Sequence, residues 1–179
     1  MGPIAYSLCH KPVVGLLMFV ASACAFPPLF QDAPLALQQA GASVVREVDA
    51  PVGKTYSLAL NFQFPSGGAG GARDVVGSTY NHNCERAYAD IPPAQRQELG
   101  RPIPIQVRGR EVRTGTVTLD QVFTTLCMTS SGAGFVRTRT AASIQLAAGK
   151  HRIEVSNLER QDGLDGVKTT LSLVSGDRK

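Results

Sequence analysis

The stretch at residues 56–64, Tyr-Ser-Leu-Ala-Leu-Asn-Phe-Gln-Phe, decides the fold class. Its large apolar residues occupy every second position, with small or polar residues between them. This period of two is typical of a β-strand with one buried face, whereas a helix would spread the same residues around its circumference. The sequence therefore predicts a strand whose even-numbered side chains face a core.

Similar short patterns recur along the chain, separated by Gly, Asp or Asn, and predict strands over residues 43–48, 103–108, 111–119, 134–146, 151–157 and 167–174. No amphipathic run of ten or more residues lies between them, as a parallel α/β sheet would require. One short helix is expected over residues 93–100, where Pro93 begins it and Gly100 follows its end. The prediction is an all-β protein, an antiparallel β-sandwich of seven to eight strands with one short helix, over residues 43–179.

The first 23 residues have the three zones of an export signal. A polar region with Lys11 precedes the apolar run 13–20, which is shorter than the roughly 18–20 residues that span a bilayer. Residues 21–23, Ala-Ser-Ala, are a small-x-small site for ordinary signal peptidase, and with Cys24 they also resemble a bacterial lipobox. The favoured interpretation is a periplasmic lipoprotein acylated at Cys24. The alternative is a soluble secreted protein.

Residues 24–42 are expected to form a Pro-rich tether between the lipid anchor and the domain, because they contain several prolines and no sustained periodicity. Cys9 is expected to leave with the leader, and if Cys24 takes the lipid, two cysteines remain for an oxidising compartment. We expect Cys84 and Cys127 to form a disulfide, with two unrelated buried thiols as the alternative.

No motif in the sequence names a reaction. Gly53-Lys54-Thr55 lacks the upstream glycine and the following helix of a phosphate-binding loop. Only His82 and His151 remain after the leader, and neither has a second ligand pair at short spacing, so no metal and no cofactor are expected. The glycine-flanked serines of residues 129–134 do not match the nucleophile pattern Gly-x-Ser-x-Gly. We therefore expect a protein that is not an enzyme.

Three pairs of basic residues stand two positions apart, so each pair shares one face of its strand. They define a candidate basic contact face for anionic lipid or an acidic partner, composed of Arg108, Arg110, Arg137, Arg139, Lys150 and Arg152. The alternative is an ordinary set of solvated strand faces whose charges discourage edge pairing. A net charge of +4 and the scarcity of aromatic residues among these strands argue against nucleic acid.

The chain resembles a domain-of-unknown-function family of exported Gram-negative bacterial proteins, many of them lipoproteins. The resemblance covers residues 43–175 and lies in strand cores and turn glycines: Tyr56-Ser57-Leu58-x-Leu60-x-Phe62-x-Phe64, Arg101-Pro102-Ile103-Pro104-Ile105, Leu146-x-x-Gly149-Lys150-x-Arg152-Ile153-x-Val155 and Gly166-Val167-x-Thr169. It implies a compact β-sandwich and no established activity, and it assigns no functional residues.

Together these observations predict a non-catalytic, envelope-anchored protein. We expect it to bind an unknown protein partner in the cell envelope or to stabilise an envelope assembly, and to meet the membrane through its N-terminal lipid. A specific version is an immunity-type protein that blocks a toxin from a competing cell. The alternative function is a glycan- or lipid-binding module, and a hydrolase is the third class.

Overall fold

The computed structural model describes residues 27–65, 72–78, 80–132 and 135–175. Within these residues the chain forms nine β-strands and one short α-helix, α1 (Arg73–Val76). The strands are β1 (Phe30–Pro34), β2 (Ser43–Ala50), β3 (Lys54–Gln63), β4 (Ile103–Glu111), β5 (Val117–Thr125), β6 (Ser130–Gly132), β7 (Val136–Leu146), β8 (Gly149–Asn157) and β9 (Lys168–Ser175).

The strands form two antiparallel sheets. Sheet A has the order β1-β9-β3-β7-β6, and sheet B has the order β2-β8-β4-β5. Both sheets contribute one apolar face to a single main core. The predicted all-β antiparallel sandwich is confirmed, with nine described strands where seven to eight were expected and with its short α-helix at residues 73–76.

Strand β3 lies at the centre of sheet A, between β9 and β7. Its even-numbered side chains from Tyr56 to Phe62 are at most 1% exposed, as the alternation predicts. They pack against inward residues of sheet B such as Ile105 and Val155. Full burial of each such aliphatic or aromatic side chain stabilises the fold by roughly 1.5–3 kcal/mol before chain entropy is counted.

The predicted tether, residues 24–42, is wrong for residues 30–42. Strand β1 pairs with β9, more than a hundred residues later, and Leu35 and Leu37 are buried in the main core. The Leu35 N–H donates to the Thr169 carbonyl at 3.1 Å. Proline is compatible with this arrangement because β1 is an edge strand, where a missing N–H costs no ladder hydrogen bond. The predicted leader and Cys24 lie outside the described residues.

The predicted strand at 111–119 is also misplaced. Residues 112–116 form the turn of a β4–β5 hairpin, and Gly115 adopts φ 70°, a left-handed conformation that glycine tolerates. Strand β5 therefore extends to Thr125, and Val117 at its start is half exposed.

Between β3 and β4, the described residues form an irregular segment. It contains α1 and three 3-10 turns, His82–Glu85, Tyr88–Asp90 and Pro93–Gln95, so the helix predicted over 93–100 is reduced to its first turn. A Cys84–Cys127 disulfide, with Cα atoms 5.6 Å apart, fastens this segment to the residues after β5, which confirms the predicted pair. A second small core of Ile91, Leu99 and Leu126 packs around the bridge.

Candidate functional site

The structure does not unite the six basic residues on one face. Arg108 and Arg110 on β4 point outward from sheet B, as do Lys150 and Arg152 on the neighbouring β8. Arg137 and Arg139 belong to β7 in sheet A and share the inward face with Leu60 and Phe62 of β3. The predicted contact face is therefore wrong for Arg137 and Arg139, because their side chains lie on the inward face of sheet A.

Arg139 is fully buried and binds main-chain carbonyls instead of a carboxylate. Its Nε donates to the Val76 carbonyl at 2.9 Å, and its Nη1 donates to the carbonyls of Arg101 at 2.8 Å and Thr125 at 3.3 Å. Its Nη2 donates to the Val75 carbonyl. Burial lowers the pKa of Arg139 to about 9, which still leaves the guanidinium protonated at neutral pH. Arg139 therefore joins α1, the start of β4 and the end of β5 to the sheet.

Arg137 reinforces the same junction. Its Nη1 donates to the Gly77 carbonyl at 2.7 Å, directly after α1. Its guanidinium also lies 5.6 Å from the centre of the Phe64 ring, within the range of a cation–π contact. Both arginines of β7 thus hold the irregular segment against sheet A, so their role is structural.

The outer face of sheet B carries the four remaining basic residues, but four carboxylates accompany them. Lys150 stands opposite Asp49, and Arg152 stands opposite Glu47 on β2. Arg108 stands opposite Glu154 on one side and Asp120 on the other, and its Nε lies 3.3 Å from the Asp120 carboxylate. A hydrogen bond from Gln106, followed by the effects of Arg108, lowers the pKa of Asp120 below its usual value. The charges on this face cancel, so it is not a positive patch.

A different surface, the outer face of sheet A, forms a concave groove of about 870 Å³. The groove extends across the whole sheet, with β1 at one edge and β6 at the other. Small hydroxyl and amide side chains line it: Ser57, Asn61, Gln63, Thr129, Ser130, Ser131, Thr138, Thr140, Ser143, Thr170, Ser172 and Ser175. We call this surface the sheet A groove.

A chain of hydrogen bonds crosses the floor of the sheet A groove. The Thr138 hydroxyl donates to Asn61 Oδ1 at 2.9 Å, and Asn61 Nδ2 donates to the Ser172 hydroxyl at 3.1 Å. The Asp32 N–H also donates to Ser172, at 3.3 Å, and the Thr170 hydroxyl lies 3.5 Å from Asp32 Oδ1. These contacts fix the orientation of the central amide and leave a preformed polar surface.

Among the residues that the structure describes, the charged side chains lining the groove are Asp32 and Lys168, one of each sign. Asp32 lies at an irregularity in the β1–β9 pairing and has φ 52°, a left-handed conformation that is uncommon outside glycine. This bend places an exposed carboxylate at the β1 edge of the groove. The groove is therefore close to neutral overall, with one anionic group at a defined position.

The described residues bring together no group of three or more His, Cys, Asp or Glu side chains that could hold a metal ion. Ser130 and Ser131 do line the groove, but neither His82 nor His151 does. His151 is buried near the start of β8 with its Nε2 2.9 Å from the Ala147 carbonyl oxygen. In the described part of the chain, no helix is both apolar enough and long enough to cross a bilayer.

Sequence reasoning missed the sheet A groove, although a signal was present. In β3, β7 and β9 the positions between the core residues are mainly Ser, Thr, Asn or Gln, and long charged residues are scarce among them. Side chains of this size leave the outer face open, whereas Lys and Glu would cover it. Period-two alternation identifies the buried face of each strand, but it does not show how the outer faces of the two sheets differ.

These features define a small antiparallel β-sandwich that displays a polar concave face and has no assembled catalytic set among its described residues. The family model of a domain of unknown function, DUF5625, matches residues 32–175, so the chain belongs to this family. The match begins inside β1, which agrees with the structural finding that β1 is part of the domain. No curated protein matches the chain.

The fold is similar to that of a crystal structure from Sulfurospirillum deleyianum, with a TM-score of 0.62 and 22% sequence identity. The similarity covers 86% of this chain and all of the other. At this level of identity the likeness establishes the architecture. It says nothing about a ligand.

Proposed function

We propose that this protein is a non-catalytic binding module of the bacterial cell envelope, tethered by a lipid on Cys24, and that it binds its ligand in the sheet A groove. The carrying observation is the groove itself: an open concavity of about 870 Å³ whose hydrogen-bonding groups are already oriented. Export and anchoring rest on the leader sequence and on Cys24.

The alternative surface, the outer face of sheet B, supports binding less well. Anionic head groups are attracted by net positive charge. Three of the four basic residues there stand opposite carboxylates, and Arg110 stands opposite Arg152 and Val117. With four carboxylates on the same face, the outer face of sheet B carries no net positive charge. A lipid-binding function based on the basic pairs therefore loses its physical support.

The chemistry of the groove also favours a small polar ligand over a protein partner. Protein interfaces are usually anchored by buried Trp, Tyr or Arg side chains, and no such side chain lines the groove as the structure describes it. The apolar groups that do line it, Ala59, Val136 and Val174, are small. For this reason we prefer the ligand-binding function to the immunity-type protein that the sequence first suggested.

Catalysis in the groove is not part of the proposal. A serine nucleophile needs an adjacent general base. Asp32, the carboxylate that lines the groove, belongs to β1, while Ser130 and Ser131 belong to β6 at the opposite edge of the sheet. The two groups are separated by the three central strands of sheet A.

The experiment that tests the proposal is site-specific photocrosslinking of the full chain in intact envelopes. A benzophenone amino acid replaces Thr140, an exposed groove residue, and a matched variant carries it at Thr124 on the outer face of sheet B. We expect Thr140 to yield a discrete crosslinked species that Thr124 does not. Equal crosslinking at both positions, or none at either, would contradict the assignment of the groove.

Anchoring is tested separately by growing cells with radiolabelled palmitate. The wild-type chain should take up the label and fractionate with membranes, whereas Cys24→Ser should remain unlabelled. If the wild-type chain stays unlabelled and appears in the soluble fraction, the lipoprotein proposal is contradicted and the alternative, a soluble secreted protein, is supported.

A further inference from the structure

We infer that the ligand of the sheet A groove is a neutral, linear oligosaccharide. The inference rests on the proposed function of the groove and adds the chemical class of its ligand. It comes from the hydrogen-bonding pattern of the groove floor and from the near balance of charge among the described lining residues.

The groove floor presents donors and acceptors side by side. Ser172, only 7% exposed, accepts hydrogen bonds from Asn61 Nδ2 and from the Asp32 N–H, so its own hydroxyl proton is directed to another acceptor. The Asn61 amide nitrogen has two protons, and Ser172 takes one of them. Asp32 supplies a carboxylate, which accepts only. A sugar hydroxyl both donates and accepts, so a run of such hydroxyls matches this floor.

The charge and polarity of the lining select against other ligands. One Asp and one Lys give the groove a balance near zero, which disfavours polyanions such as nucleic acid, whose binding depends on neutralising phosphates. The lining contains no large aliphatic or aromatic side chain among the described residues, so an acyl chain would find little apolar surface to bury. A neutral polyhydroxylated ligand satisfies both conditions.

Because this binding depends mainly on hydrogen bonds exchanged with water, we expect weak affinity, with dissociation constants on the order of 0.1–1 mM. Saturation-transfer NMR measures binding in this range. The full chain is mixed with a panel of neutral linear tetrasaccharides built from glucose, galactose, mannose or N-acetylglucosamine. A sulfated tetrasaccharide and a Gly-Ser hexapeptide serve as anionic and peptide comparisons.

Two groove variants and one control make the test specific. Ala59→Arg places a long side chain in the middle of the groove, and Ser172→Ala removes the floor hydroxyl with little change in volume. Ser156→Arg makes a similar change on the outer face of sheet B, where Ser156 is partly exposed in β8. We expect Ala59→Arg to weaken tetrasaccharide binding at least tenfold, Ser172→Ala to weaken it about three- to tenfold, and Ser156→Arg to leave it unchanged.

The outcomes separate the two proposals. Binding of a neutral tetrasaccharide that both groove variants weaken supports the groove and its ligand class together. If no neutral tetrasaccharide binds while benzophenone at Thr140 still crosslinks an envelope component, the oligosaccharide inference is overturned and the binding groove stands. Preferred binding of the sulfated sugar or the peptide also overturns the inference. If tetrasaccharides fail and Thr140 yields no crosslink, both proposals fall.

Discussion

Gly100 leaves the space that the guanidinium of Arg139 occupies: a Cβ atom on Gly100 would stand 2.0 Å from Arg139 Nη2 and 2.7 Å from the Val75 carbonyl oxygen. Gly100 also has φ +84°, which disfavours any L side chain. Gly77, on the other side of the same junction, leaves a Cβ only 2.6 Å from the Leu99 carbonyl oxygen. The buried arginine and the two glycines therefore form one packing unit.

Gly100→Ala should lower the free energy of unfolding by roughly 2–4 kcal/mol, because it adds a steric clash to backbone strain. Gly115→Ala is the matched control, since Gly115 has φ +70° and nothing lies within 4 Å of its Cβ position. The control should cost about 1–2 kcal/mol from backbone strain alone. Urea unfolding measures both changes, and equal losses would contradict the close packing against Arg139.

Arg139→Leu should destabilise the domain by roughly 3 kcal/mol or more, since the carbonyls of Val75, Val76, Arg101 and Thr125 each lose a buried donor. Arg108→Leu is the control, because Arg108 is exposed and solvent screens its ion pair with Asp120, so losing this pair should change stability little. Differential scanning calorimetry should show a large fall in Tm for the first variant only. Similar Tm values for the two would refute a structural role for Arg139.

Removing the disulfide with Cys84→Ser and Cys127→Ser together should cost roughly 3–4 kcal/mol, as expected for a cross-link between residues 43 positions apart. Amide hydrogen exchange should increase most in residues 80–99, which the bridge fastens to the end of β5. Cys24→Ser should alter neither quantity. Exchange that rises uniformly across both sheets would argue against local fastening.

Tyr56→Phe should reduce stability by about 1 kcal/mol at neutral pH, because the Tyr56 hydroxyl donates to the Val52 carbonyl at 3.0 Å. Burial raises the pKa of Tyr56 above 10.0, so the unfolded chain releases this proton first as pH rises. The free energy of unfolding therefore falls with pH above about 10 in the wild-type chain. The difference in the free energy of unfolding between the variant and the wild type should therefore shrink above about pH 10. Urea titrations at several pH values measure this difference, and a constant difference would contradict the raised pKa.

The sequence was most informative where one strand has a buried and a solvated face. The alternation around Leu58 and Leu60 predicts β3 and its inward side chains, because the period of a strand is local. Strand β1 has no such period in its five residues. Its place depends on pairing with β9, more than a hundred residues away, which no local pattern encodes.

The same limit explains the error at β7. Alternation correctly put Arg137 and Arg139 on one face of a strand, but the intervening Thr138 is polar as well, so hydropathy did not distinguish inside from outside. Arg139 is buried, and its guanidinium donates hydrogen bonds to carbonyls from three separate segments of the chain. The sheet A groove could not be predicted either, because its floor is formed by β3, β7 and β9, which become neighbours only in the folded protein.

The pairing of β1 with β9 also limits the distance between the domain and a membrane to which the chain is anchored. Only residues 25–29 separate Cys24 from Phe30, the first residue of β1, and the six Cα–Cα steps from Cys24 to Phe30 reach at most roughly 20 Å. A free segment through residue 42 would have reached roughly 65 Å. In a protein acylated at Cys24 as we propose, the edge of the groove that contains Asp32 is therefore held next to the lipid surface, and any ligand must come within that distance of the bilayer.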